Sequence, residues 1–298
     1  MAAPYIIITA SDENFRPLLL SWLRSLQRLR PGFAFDIGVL DLGLSETTRQ
    51  ELLAAGVIVK AAQIDIEYPG RAAWEAEMPY YRAMTARPFL PDYFPAYRAY
   101  MWVDADAWFQ TAEAVAVMLP AAAESGELHI AAELDRDYRL YFESAALWQV
   151  QANWYKNCFP QNIADKMALR PMLNVGVFAM PAACPLWQAW RELLAESLQR
   201  IPKITPAHFM LEQLCLNVAV YLGKQPARIM PADYNWLAMF TLPLYDKATQ
   251  SYQRPTPPRA PLSILHLAGA LKNTAVTITT TDGEKLERVL TYADEQTD

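Results

Sequence analysis

The sequence predicts an α/β protein with a mostly parallel central sheet flanked by helices, and three observations carry that expectation. The first sixty residues alternate β-α-β-α-β, an order that gives parallel strands joined by right-handed crossovers. The apolar run Ala99-Tyr100-Met101-Trp102-Val103 leads directly into Asp104-Ala105-Asp106, the pattern of a buried strand whose carboxyl end carries two acids. Hydrophobic residues make up 53% of the 298 and charged residues 19%, which supports a large core and argues against global disorder.

Taken in order, Tyr5-Ile6-Ile7-Ile8-Thr9 reads as a buried strand. Phe15, Leu18, Leu19, Trp22, Leu23, Leu26 and Leu29 recur at helical spacing, and Pro31-Gly32 stops that helix. Phe33 to Leu40 reads as the second strand. Ser45 caps a helix running through Leu52 and Leu53 and closed by Gly56, and Val57-Ile58-Val59 is the third strand. Residues 60–78 read as an irregular loop, and Met78 to about Leu90 as one helix carrying Arg82 and Arg87. Pro91 and Pro95 then break the chain before the central strand. Further strands are expected at Leu128–Ala132 and Met172–Met180, with helices at Tyr141–Cys158, 185–200 and 207–222, the last two amphipathic. Leu262 to Leu267 is a strand containing His266, and Val276–Thr280 is followed by the turn signal Thr281-Asp282-Gly283-Glu284. One domain is expected over 1–298, in two halves, 1–106 and 107–272, with 273–298 as a C-terminal tail.

Charge and cysteine usage narrow the function classes. The net charge is −6 with no basic run, which argues against nucleic acid as the main partner. An acidic chain that binds a polyanionic nucleotide needs a metal or a few local cations. Cys158, Cys184 and Cys215 have no metal-ligand spacing and sit in apolar contexts, as reduced core residues of a cytoplasmic protein do. The opening Met-Ala-Ala-Pro-Tyr-Ile-Ile-Ile-Thr-Ala lacks the regions of a signal peptide. No run approaches the roughly 18 apolar residues that span a bilayer, and peripheral membrane contact stays open. No Gly-x-Gly-x-x-Gly follows the first strand; the loop there is Ala10-Ser11-Asp12-Glu13-Asn14-Phe15, which disfavours a dinucleotide oxidoreductase.

In an open α/β sheet, ligands bind at the carboxyl ends of the strands. Two acids there at i and i+2 can coordinate a hard divalent cation, which in turn binds a pyrophosphate; the plain alternative is a solvated turn. A second Asp-x-Asp, Asp135-Arg136-Asp137, lacks a long apolar lead-in and reads as a decoy or part of an acceptor-side loop.

The ordered set Ala10 to Phe15, Arg87, Asp104/Asp106, Asn174-Val175-Gly176-Val177, Glu212-Gln213, Pro231 to Asn235, and His266-x-x-Gly269-x-x-Lys272 resembles the GT-A glycosyltransferases. It is most similar to glycosyltransferase family 8, which includes glycogenin and bacterial lipopolysaccharide galactosyltransferases. The resemblance runs from about residue 5 to residue 272 and implies the GT-A, Rossmann-like nucleotide-diphospho-sugar transferase fold. It also implies that Asp104, Asp106 and His266 bind Mn²⁺, which bridges the diphosphate of a UDP-sugar; an imidazole in the donor set suits Mn²⁺ better than Mg²⁺. It places Lys272 and Gly269 at the diphosphate. Ala10, Asp12, Asn14 and Phe15 go to the uridine pocket, although Ser11 or Asp12 equally suits a helix N-cap. By the same resemblance Arg87 contacts the donor sugar or phosphate, Asn174 lies under the donor sugar, and Gly176 allows close backbone approach. Glu212-Gln213 stands where the family has Asp-Gln near the anomeric carbon, so Gln213, Glu212 and Asn174 are the catalytic candidates. The family's Lys-Pro-Trp ending is absent, since Asn273-Thr274 follow Lys272.

The implied activity is metal-dependent transfer of glucose or galactose from its UDP derivative to a carbohydrate or glycoconjugate hydroxyl, with retention. Two other classes stand beside it. A sugar-1-phosphate nucleotidyltransferase needs a glycine-rich basic loop that Ala10 to Phe15 does not supply. A catalytically inert carbohydrate-binding relative should have lost metal ligands that are kept here. Acceptor loops are expected at 60–78, 135–170 and 240–262. Within the last, the proline-rich residues 243–261 are expected as an ordered surface loop or as a lid closing over the donor.

Overall fold

A computed structural model describes residues 3–143 and 145–292. The opening alternation folds as β1 (Tyr5–Ser11), α1 (Arg16–Gln27), β2 (Phe35–Asp41), α2 (Glu46–Ala54) and β3 (Val57–Ala61). Ser45 caps α2 by accepting the Thr48 amide at 3.2 Å. Next come α3 (Arg71–Glu77), α4 (Tyr81–Ala86), α5 (Leu90–Tyr93), β4 (Ala99–Val103), β5 (Ala107–Phe109), α6 (Glu113–Ser125) and β6 (Leu128–Ala132). The middle holds α7 (Leu140–Glu143), α8 (Ala146–Cys158), α9 (Gln161–Met167), β7 (Leu173–Pro181), α10 (Leu186–Arg200) and α11 (Leu211–Tyr221). The chain ends with β8 (Ala227–Met230), β9 (Trp236–Leu237), β10 (Leu244–Asp246), β11 (Ser251–Gln253), β12 (Ile264–His266), β13 (Ala275–Thr280) and β14 (Lys285–Val289).

The central sheet has seven strands in the order β3-β2-β1-β4-β7-β6-β8. Its pairings are parallel except where β7 runs against β4 and β6. Both faces are covered, and the period-2 alternation of the strands decides which residue goes where. Ile6 and Ile8 of β1 and Tyr100 and Trp102 of β4 join one core layer. Ile7, Met101 and Val103 join the other, with α1 and α6. A three-stranded sheet, β5-β12-β9, and a four-stranded one, β11-β10-β13-β14, lie beside it. Among the described residues no helix is long and apolar enough to cross a membrane.

Several expectations need correction. The loop at 60–78 contains α3, which starts after Gly70 in the left-handed region and buries Trp74. The single helix at 78–90 is broken into α4, a 3-10 turn at Arg87–Phe89, and α5, because Pro88 and Pro91 each lack the N–H that a continuous helix requires. The helix at 141–158 is two helices, α7 and α8. The 207–222 helix begins at Leu211, and every residue from Leu211 to Val220 is buried, so it is an interior helix rather than an amphipathic one.

The largest correction concerns residues 243–261. They hold the β10–β11 hairpin, which pairs with β13. The segment after it is pinned through Arg254, which reaches Asp135 (2.8 Å), Asp137 (2.7 Å) and Asp233. Thr256 donates to Asp137 as well. The second Asp-x-Asp is therefore engaged by a buried guanidinium, and no residue from 243 to 261 lines the main cavity. The segment is an ordered part of the fold and does not sit over that cavity as a lid.

Candidate functional site

Asp104 and Asp106 lie where β4 turns into β5. Asp104 donates its backbone N–H to the Gly176 carbonyl (2.8 Å), and the Asp106 carbonyl receives the Leu267 N–H (2.9 Å). β12 runs antiparallel to β5 with His266 opposite Ala107. Two chain segments far apart in sequence thereby meet at the carboxyl end of β4. The ligand-type atoms of Asp104, Asp106 and His266 all lie within 4.8 Å of one another.

Each carboxylate has one oxygen held and one free. Asp104 Oδ1 accepts from Arg87 (2.6 Å) and from the Trp102 indole N–H (2.7 Å). Asp104 Oδ2 is left 3.9 Å from His266 Nε2. Asp106 Oδ2 pairs with Lys272 Nζ at 2.8 Å, while Oδ1 faces His266 Nε2 at 3.3 Å. Burial would raise the Asp106 carboxyl, but His266 and Lys272 outweigh it and hold the group below its ordinary range. The same carboxylates lift His266 above its ordinary value against the effect of burial.

Hydrogen bonds fix the imidazole tautomer. The Gly176 backbone N–H can only donate, and it donates to Asn174 Oδ1 at 2.9 Å. Asn235 Nδ2 donates to that same oxygen at 2.9 Å, so Asn235 Oδ1 faces His266 Nδ1, also at 2.9 Å. Nδ1 therefore carries a proton, and whenever the ring is neutral Nε2 points a lone pair at two carboxylate oxygens. A lone pair and two anionic oxygens repel one another unless a proton or a cation sits among them. The O/O/N donor set fits a divalent metal ion.

Backbone irregularity makes room for this cluster. Between paired positions, β6 advances from Ile130 to Ala132 while β7 runs from Phe178 back to Leu173, so β7 bulges around Asn174–Val177. A Cβ on Gly176 would lie 2.4 Å from His266 Cε1, 2.8 Å from Asn174 Oδ1 and 2.9 Å from Asp104 Oδ2. Only a glycine fits under the triad.

The neighbouring wall is a buried polar network. Arg87, 6% exposed, sits on the 3-10 turn, packs over the Trp102 ring at 4.9 Å, and pairs with Glu212 Oε2 at 3.0 Å. Burial pushes Glu212 up to about 7, with Arg87 opposing and Asp104 adding to the rise. Glu212 Oε1 has no hydrogen-bond partner among the described residues. Gln213 accepts the Val175 N–H (3.1 Å) and donates to Glu133 Oε1 (3.1 Å), as does Asn174 Nδ2 (2.7 Å). Burial raises Glu133, opposed by those two donors.

Apart from Asn235, which lies behind His266, these groups line one cavity of about 580 Å³, together with Ala10, Asp12, Phe15 and Gly269. Asp12 accepts the Phe15 N–H at 2.9 Å, so it caps the following turn and also faces the cavity. Lys272 Nζ lies 5.1 Å from the Phe15 ring centroid. Asn14 is exposed and is not among the cavity-lining residues, because the cap at Asp12 winds residues 13–15 into a 3-10 turn. Of the expected acceptor segments, 60–78 contributes no lining residue, 135–170 contributes Tyr141, Leu147, Val150 and Trp154, and 240–262 contributes only Phe240. Sequence reasoning missed Glu133 and Trp102, and it included Asn235 in the Pro231–Asn235 stretch without giving it a role. Glu133 directly follows the β6 run, a position comparable to that of Asp104 after β4, and that was the available signal.

No family model matches the sequence, and no curated protein does. The structure is similar to that of the galactosyltransferase LgtC in complex with donor and acceptor sugar analogs, with a TM-score of 0.53 at 15% identity over 90% of this chain and 88% of that one. It is also similar to WbbM, a bifunctional glycosyltransferase, with a TM-score of 0.55 at 12% identity over 90% of this chain and 46% of that one. The α/β architecture is thus the GT-A fold.

Proposed function

We propose that this chain is a GT-A glycosyltransferase of the family 8 type, moving glucose or galactose from its UDP derivative to an acceptor hydroxyl with retention. The observation that carries the proposal is the convergence of Asp104 Oδ2, Asp106 Oδ1 and His266 Nε2, with Lys272 beside them, at the carboxyl end of a central strand in this fold. Those three residues would hold Mn²⁺. The ion would supply Lewis-acid stabilisation of the departing diphosphate.

The chain's own groups divide the remaining work. Lys272 offers its ammonium to the phosphate oxygens. Asp12 and Phe15, at the end of β1, serve the uracil and ribose. Arg87 holds Asp104 in register from behind and is itself held by Glu212. Asn235 keeps the His266 proton on Nδ1, and Asn174 and Gln213 present a fixed amide surface to the sugar. The acceptor oxygen bonds to the anomeric carbon as the bond from that carbon to the diphosphate oxygen breaks, its electron pair leaving with UDP. The acceptor proton passes to the departing diphosphate, so no separate base is needed. One catalytic domain is proposed, since residues 1–106 and 107–272 line the same cavity. The three buried free cysteines support a cytoplasmic, reducing compartment.

The test is UDP release from a panel of UDP-sugars with and without Mn²⁺, with the anomeric configuration of the product read by NMR. Metal-dependent release from UDP-glucose or UDP-galactose is expected. No release, together with UDP affinity indifferent to Mn²⁺, would overturn the assignment.

A further inference from the structure

The cavity has a second set of lining residues of a different character. Leu147, Val150 and Trp154 fall at i, i+3 and i+7 on α8, on one face of that helix. Met84 comes from α4, and Phe209 and Met210 from the segment leading into α11. Tyr80 joins them, 6.3 Å from Phe209 ring to ring in an edge-on contact. Val150 is 41% exposed and Tyr80 42% exposed, while Met84, Leu147, Trp154, Phe209 and Met210 are half-buried at the edge of the core. They stand open in the same cavity as the Asp104–Asp106–His266 cluster.

The chemistry of this surface selects its occupant. A bare sugar brings several hydroxyls, each of which needs a partner once water is displaced. Met84, Leu147, Val150, Phe209 and Met210 offer none, and this surface has just the Tyr80 hydroxyl and the Trp154 indole N–H to give. On the cavity floor, Asn174 and Gln213 are each tied to Glu133 and face the donor sugar in the reading above, so they are not spare partners for a second sugar. An alkyl or aryl group meets no such penalty and gains from leaving water.

We propose that the acceptor carries an apolar aglycone, alkyl or aryl, beside the hydroxyl that receives the sugar, and that the α8 face with Met84, Phe209 and Met210 holds it, an inference that rests on the glycosyltransferase reading above.

The experiment uses the full chain and a graded series of acceptor probes: methyl, butyl, hexyl and octyl β-glucosides below their micellar concentrations, and phenyl β-glucoside as the aryl arm. Transfer from the UDP-sugar is followed as kcat/KM, and binding of each glucoside without donor is followed by calorimetry. Affinity and kcat/KM are expected to rise by up to about fourfold per methylene until the surface is filled. Phenyl matching the longer alkyl chains points to an aryl aglycone, and phenyl falling behind them points to an alkyl one. Val150→Asp and Leu147→Ser should each cut the octyl-to-methyl ratio by tenfold or more; circular dichroism confirms folding, and the wild-type series decides the matter if either variant fails to fold. An octyl-to-methyl ratio within twofold of unity in both assays overturns the proposal, even where UDP release is robust. Chain-length-dependent binding without any Mn²⁺-dependent UDP binding upholds the apolar subsite and overturns the donor reading instead.

Discussion

Replacing Gly176 by alanine tests the site more sharply than removing a ligand, because it adds one methyl group and deletes nothing. Gly176 is not among the glycines with positive φ, so alanine can adopt its backbone and the whole cost comes from space. The new Cβ would sit 2.4 Å from His266 Cε1 and 2.9 Å from Asp104 Oδ2, roughly 1 Å inside the ~3.5 Å contact distance of carbon atoms. Neither neighbour can easily retreat. His266 is tied through Nδ1 to Asn235, and Asp104 is tied to Arg87 and Trp102. The fold should lose about 1–3 kcal/mol, the usual cost of overpacking. A shift of about 1 Å in two of the proposed metal ligands should cost about 100-fold in activity. Calorimetric Mn²⁺ and UDP affinities, with thermal unfolding in the absence of metal, give the two readouts. Adding His266→Ala to Gly176→Ala should recover part of the stability, because it removes the closest clash, and none of the metal affinity. Wild-type Mn²⁺ affinity and wild-type unfolding in Gly176→Ala would show that the triad is not packed as described.

Asp104→Ala and Asp106→Ala should both abolish metal-dependent UDP binding. Without metal, Asp104→Ala strips Arg87 and Trp102 of a shared acceptor and should cost about 2 kcal/mol in chemical denaturation, so equal metal-free stability of Asp104→Ala and wild type would contradict the Arg87 contact. Glu212, 2% exposed, is raised from 4.5 to about 7. The native state therefore holds that proton more tightly than the unfolded chain does. The resulting stability is complete below about pH 4.5 and is lost as pH rises toward 7, by roughly 3 kcal/mol at most. Glu212→Gln should flatten that slope, and an unchanged pH profile in the variant counts against it. Arg254→Ala leaves Asp135, Asp137 and Asp233 without their guanidinium and should cost about 3–5 kcal/mol; a loss under about 1 kcal/mol would show that the β10–β11 hairpin is held by other contacts. Amide exchange across Leu244–Gln253 should not respond to UDP with Mn²⁺, and strong protection there would restore the lid.

Local pattern in the sequence was enough for the elements whose signal lies within a few residues. The alternating Ile6, Ile7 and Ile8 specify a strand buried on both faces, Ser45 specifies a cap, and an apolar run ending in Asp104-Ala105-Asp106 specifies acids at a strand's carboxyl end. It was not enough where short elements lack a full period, as in α3 or the three-residue strands β10 and β11, whose flanking prolines dominate the reading of 243–261. Nor could it place groups whose partners come from distant segments. Arg87 meets Glu212 across 125 positions, and Asn235 meets His266 across 31; those distances follow from strand order and the course of the crossovers, which no local pattern encodes. The β7 bulge that turns Asn174 onto the Gly176 amide depends on β6 holding one register while β7 carries extra residues. That mismatch exists only when the two strands are paired. The sequence by itself thus determined which residue types stand at the strand ends, while only the tertiary structure decided which oxygen of each carboxylate is free, which nitrogen of His266 is bare, and which apolar side chains share their cavity.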